Sequence, residues 1–161
     1  MPEFVDGLPL HALVLHAVVV LVPLTVLGAV VIAVWPAARR RFGWLVVAFA
    51  AASVVLTPIT TSSGNALARR LPENPQIATH QQLGEQLIWF VLPLFLAVTA
   101  LMVVHTLAAR GGESPSWTKI ALVLAAVASI GLGVASGVHV FRVGDAGSRA
   151  VWEGIENLPA R

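Results

Sequence analysis

Five histidines, His11, His16, His80, His105 and His139, carry most of the chemistry this chain could perform. Cysteine is absent, which removes disulfides, thiolate metal sites, c-type haem attachment and cysteine nucleophiles together. Imidazole is a common metal ligand, and two imidazoles from facing helices are what a b-type haem iron takes as axial partners. Such a site also needs a flat apolar slot and cations near the propionates. In "HALVLH" the two histidines are five residues apart, about 140° around a helix, so they cannot both face one partner. His16 is the deeper, ~12 Å past the start of the apolar run, and is expected to look inward. Its expected partner is His139, which ends a stripe of small and polar residues, Ala125, Ser129, Gly133 and Ser136, at the three-and-four spacing of a helix-packing face. His80 and His11 are the reserve ligands. Arg142 and Arg149, with Arg69 and Arg70, are the cations for propionates. His105 stands apart from the other four and reads as structural.

The elements that must position these rings are membrane helices. Of 161 residues, 57% are hydrophobic and 11% charged, with a mean hydropathy of +0.84, the composition of an integral membrane protein. The net charge of +2 is too small and too dispersed for a nucleic-acid footprint. Four apolar runs, 8–35, 42–59, 83–109 and 117–141, each approach or exceed the ~20 residues that cross a bilayer. They do not alternate in polarity, so helices and not barrel strands are expected. The first run is flanked by Glu3 and Asp6 and is too long for a cleavable signal peptide, so it reads as a retained span.

Short loops between spans one and two and between three and four predict a single all-α domain, an up-down-up-down bundle of four transmembrane helices. Arg39, Arg40 and Arg41 lie at one end with Arg110 and Lys119, against one nearby acid, Glu113. That end is expected in the cytoplasm, and both termini outside a bacterial plasma membrane. Trp35, Trp44 and Trp117 fall at the same boundary, as an aromatic belt places them. The outer loop, 60–82, is expected to carry a short helix over Asn65 to Leu71 that covers the bundle mouth. The tail, 142–161, is expected to form an interfacial helix around Val151, Trp152 and Ile155. Pro23 and Pro93 bend spans one and three, and Gly131, Gly133 and Gly137 thin span four, which either admits a flat group or lets helices touch.

Four of the histidines fall in the outer half as one cluster, which argues for one haem, since a second in the inner half would need two more ligands and His105 is alone there. Such a haem would exchange electrons with a quinone or an extracytoplasmic redox partner. Two other classes compete. A divalent metal ion could be held by His11, His80, Asp6 and Glu85, although no H-x-x-H or H-E-x-x-H spacing supports it. Alternatively the histidines only hydrogen-bond backbone and hydroxyls such as Thr57, Thr60 and Thr61, in an accessory or scaffold subunit of a larger membrane complex or homo-oligomer. A hydrolase built on Ser62, Ser63 and His80 is disfavoured, since "TTSSGN" lacks the G-x-S-x-G elbow.

The stretches "GLPLHALVLHAVVVLVPL", "TPITTSSGNALARRLP", "HQQLGEQL" and "RVGDAGSRAVW", in this order, resemble the bacterial four-span membrane family called domain of unknown function 2231, over nearly the whole chain. The resemblance implies a four-helix membrane protein with histidines on one side, and similarity to four-span cytochromes extends this to a b-type haem. Relatives carry His where this chain has Asp145, in a G-H-x-G arrangement. No ligand role carries over to position 145, which leaves His139 as the candidate on span four.

Overall fold

In the computed structural model, which describes residues 4–110 and 116–153, a small hairpin precedes five helices. Glu3, Glu113, Ile155 and Glu156 lie outside the described residues. The hairpin pairs β1 (Phe4–Val5) with β2 (Leu8–Pro9). Its turn is Asp6-Gly7, at φ of 49° and 79°, the positive-φ pair that a two-residue hairpin with the right strand twist requires. The helices are α1 (Leu10–Val34), α2 (Pro36–Ala68), α3 (Pro75–Gln86), α4 (Ile88–Arg110) and α5 (Ser116–Trp152). Four stretches are long and apolar enough to cross a membrane: Leu10–Val34, Pro36–Ala68, Pro75–Ala109 and Trp117–Trp152. The protein is an all-α membrane protein.

Around the bundle, α1 packs between α2 and α5, and α4 closes the ring on the far side between the same two helices. One buried cluster joins Ala29, Ile32 and Ala33 late in α1 with Val46 early in α2 and Val98, Leu101 and Met102 late in α4. A second joins Val18 and Val22 early in α1 with Leu87 and Val91 at the start of α4, and Val54 and Val140 pack against it. Each end of the bundle is thus made from the starts of two spans and the finishes of the other two. The first cluster lies toward Arg39 to Arg41, the second toward His11, His80 and His139. Large apolar side chains such as Val20, Leu27, Leu96 and Leu124 stay exposed, as helices that present one face to lipid leave them.

Helices outrun the apolar runs. The polar stretch after Pro58 stays helical because its hydroxyls bond carbonyls three or four residues back: Thr60 to Leu56 O, Thr61 to Thr57 O, Ser62 to Ile59 O and Ser63 to Thr60 O. The separate helix expected over Asn65 to Leu71 is therefore the last part of α2, ending at Ala68. Likewise the expected interfacial helix is no separate element, because α5 runs unbroken to Trp152. No proline interrupts "FRVGDAGSRAVW", and Arg149 Nε bonds Asp145 Oδ2 at 2.9 Å one turn back. The outer loop instead forms α3, started by Pro75 and by Asn74, whose side chain accepts from Gln76 N at 2.8 Å.

Between α3 and α4 the chain kinks at Leu87, whose N–H bonds Gly84 O (3.2 Å), one residue short of the helical partner Leu83. Leu83 O is met from α5, where His139 Nε2 donates to it at 2.9 Å. Ser136 Oγ donates to Phe90 O at 3.1 Å one turn away. The stripe Ser129, Gly133, Ser136 and His139 is buried, and part of its work is to satisfy the backbone at this kink.

Candidate functional site

The two histidines that come together are His11 and His80. His11 lies seven residues, nearly two full turns, before Val18, so it shares the buried face of α1 that continues through Val22, Thr25 and Ala29. Its Nδ1 donates to Thr60 O of α2 at 3.0 Å. His80, in α3, makes the corresponding bond to Val143 O of α5 at 2.9 Å. A carbonyl oxygen only accepts, so each ring carries its proton on Nδ1 and leaves the Nε2 lone pair available. The ring centroids are 6.3 Å apart and the planes cross at 76°.

Glycines make room for both rings. A Cβ on Gly64 would stand 2.9 Å from Cε1 and Nδ1 of His11, and one on Gly147 would stand 2.9 and 3.0 Å from the same atoms of His80. The rings border a partly open cavity of about 510 Å³ lined by α1, α2, α3 and α5, within the range of cofactor sites. Leu15, Val18, Leu67, Ile77, Leu87 and Val140 make its wall apolar. At Gly84 and Gly144, which also line it, a Cβ would meet nothing within 4 Å. One polar edge exists: Gln81 Nε2 donates to Asn65 Oδ1 (3.2 Å), and Asn65 Nδ2 donates to Glu85 Oε1 (2.9 Å).

The other candidate residues fall elsewhere. His16 lies on the exposed face of α1 with Nδ1 on Ala12 O of its own helix, so it does not turn inward to meet His139. The 140° between His11 and His16 does separate their roles, but phase along the buried stripe gives the inner position to His11. His139 is buried, stacked on Phe90 with centroids 4.1 Å apart and planes 10° from parallel. It serves Leu83 O and does not line the cavity. Arg149 pairs with Asp145, and Arg142 is exposed. The Arg70 guanidinium lies over Phe4 of the hairpin, 5.4 Å from the ring centre. Asp6 is exposed in the hairpin turn, and Glu85 is engaged by Asn65. Among the described residues no three His, Asp or Glu side chains gather where they could hold a metal ion. Ser62 and Ser63 spend their hydroxyls on helix carbonyls.

Sequence reasoning passes over Gly64 and Gly147, because glycine clearance matters only once the opposing helix is known. A signal is nonetheless present. Each glycine comes four residues after the carbonyl its histidine uses, and Pro23 and Pro93 follow His11 and His80 by twelve and thirteen residues.

No curated protein and no solved structure matches the chain. A family model described as "Predicted membrane protein (DUF2231)" matches residues 7–156, a stretch that takes in both histidines, both glycines and all four spans. The chain belongs to this family of predicted membrane proteins, DUF2231.

Proposed function

We propose that the protein is a membrane-embedded b-type haem protein that transfers electrons, in which His11 and His80, in place of His16 and His139, would hold the iron. The observation that carries this reading is the imidazole pair, 6.3 Å between centroids, each ring fixed through Nδ1 to a backbone carbonyl. Two imidazoles on opposite sides of one ion bring their centroids about 6 Å apart, since a metal–nitrogen bond is about 2 Å and the nitrogen stands about 1 Å from its ring centre. Carbonyl-bonded Nδ1 is also the usual outer partner of a metal-binding histidine. Zinc takes four donors and is poorly served by two imidazoles, whereas haem supplies four nitrogens of its own and asks the protein for two.

The apolar, glycine-lined cavity suits a flat macrocycle. Asn65 and Gln81, which line the cavity from α2 and α3, are the polar side chains that would lie beside its propionates. Haem held there supplies one-electron transfer; the chain's own part is to fix the two rings and keep water from the iron. The partner is a quinone or an extracytoplasmic redox protein, because the site lies at the end of the bundle opposite Arg39 to Arg41, which positive-inside bias puts outside. A reduced-minus-oxidised spectrum of protein purified in detergent, from cells supplied with haem, is expected to show the sharp bands of a low-spin b-type centre. Their absence overturns the haem reading and leaves the imidazole pair as a brace between helices in a scaffold protein.

The orientation is checked separately. Of single cysteines introduced into this cysteine-free chain at Arg40 and Glu73, both exposed, one is expected to react with an impermeant thiol reagent in intact cells and the other only after the cells are opened. Glu73→Cys should be the outer one. Reaction of both from one side would remove the four-span topology.

A further inference from the structure

Two half-sites of the same design meet at the cavity. In the first, α1 carries His11 against α2, where Thr60 O accepts from Nδ1 at 3.0 Å and Gly64 lies one turn further on. In the second, α3 carries His80 against α5, where Val143 O accepts from Nδ1 at 2.9 Å and Gly147 lies one turn further on. The clearances agree atom by atom. From a Cβ at Gly64 the distances to Cε1, Nδ1 and Nε2 of His11 are 2.9, 2.9 and 3.6 Å, and from one at Gly147 to His80 they are 2.9, 3.0 and 3.5 Å.

We infer that the site arises from an internal repeat, in which the span pairs α1–α2 and α3/α4–α5 each deliver one imidazole from one carbonyl-and-glycine cradle, with Gly64 and Gly147 as its positioning residues. This rests on the haem reading for what the rings hold, though not for how they are held. The physical case has three parts. A cavity wall of ordinary helix would keep an imidazole farther from the neighbouring backbone; only glycine lets the ring lie flat enough on it to reach the carbonyl one turn earlier. Each carbonyl belongs to a helix, and Thr60 O also accepts from Ser63 Oγ, so the added Nδ1–H bond leaves no group unpaired and fixes the tautomer. Finally, the spans that present the rings both carry an interior proline a little over three turns later, and parallel repeats of this kind are a known way to build a membrane site at the interface of two halves.

Equivalence of the cradles is the testable content. Gly64→Ala and Gly147→Ala should each weaken haem retention by about 10–100-fold, as loss of an outer partner does, and shift the remainder from low-spin to high-spin absorption. Gly131→Ala, where a Cβ meets nothing and which lies outside the cavity, should leave the spectrum unchanged and controls for the altered helix propensity.

A second readout needs no haem. In ¹⁵N-histidine-labelled protein prepared without it, His11 and His80 should both give Nδ1–H tautomer shifts. Gly64→Ala should move the His11 signals alone, and Gly147→Ala those of His80 alone. Wild-type haem affinity and spin state in both alanine variants would overturn the cradles even if the haem reading stands. So would Nε2–H shifts for either ring in the unsubstituted protein. Paired shifts that respond as expected in a protein that never takes up haem would uphold the cradles and remove the haem.

Discussion

On the proposed haem reading, alanine in place of either His11 or His80 should abolish the low-spin spectrum and lower haem retention by more than about tenfold, the floor set by what loss of a group one step farther from a metal already costs. Each variant leaves one imidazole, so the residual pigment should be high-spin and should recover the low-spin bands on addition of free imidazole, which enters the space the side chain vacates. His16→Ala should leave the spectrum as it is, because that ring is exposed and bonded to Ala12 O of its own helix. His139→Ala is the informative contrast. It strips Leu83 O of its donor at the kink and removes the ring stacked on Phe90, a loss of about 1–3 kcal/mol in stability, without touching the cavity. A variant that unfolds more readily yet keeps the low-spin spectrum is the expected result. Loss of the spectrum in His139→Ala with retention in His11→Ala would return the ligand roles to His139, which the small-residue stripe favours in sequence, and to His16, which depth favours.

That contrast shows what the chain discloses before its fold is known. Four helices are legible because the apolar runs are long and separated by arginine or proline. The facing of the fourth is legible too, since Ser129, Gly133 and Ser136 recur at helix-packing spacing and are buried. The choice within "HALVLH" is half legible. Helical geometry separates His11 from His16 by about 140°, but depth and facing are independent quantities, and depth alone selects His16, the ring on the exposed face. Extending the phase of Val18, Val22, Thr25 and Ala29 back by two turns reaches His11. This requires knowing that stripe to be the buried one, when almost every residue of α1 is apolar and its pattern has no polar side to contrast.

The helix ends are obscured for a related reason. Serine and threonine read as caps or turns, yet in α2 their hydroxyls return to carbonyls of the same helix and carry it ten residues beyond Pro58. The meeting of His80 with Val143 and Gly147 is tertiary, from residues more than sixty apart, and nothing local encodes it.

Removing the donors of Arg39 should cost the largest single share of stability at the other end of the bundle. Only Trp35 separates α1 from α2, and Pro36, which opens α2, has no N–H to offer Ile32 O four residues back. Arg39, one turn into α2 and 5% exposed, turns back and donates from Nε to Ile32 O at 2.6 Å and from Nη2 to Ala33 O at 2.5 Å. Its charge also lies at the negative end of the α1 dipole. Ile32 and Ala33 belong to the larger buried cluster, so no side chain can swing in to replace the donor without opening that packing.

Arg39→Met keeps most of the aliphatic reach and none of the donors, and should destabilise the protein by about 3–6 kcal/mol, twice the range for one hydrogen bond to a charged group. Arg40→Met, at an exposed position, should stay within about 0.5 kcal/mol. Reversible unfolding in mixed detergent compares the two, and both variants should keep the spectrum of the histidine end, because the second buried cluster lies between it and the substitution. Equal losses would mean that all three arginines act only through membrane orientation, and that the α1–α2 junction is held by its apolar packing alone.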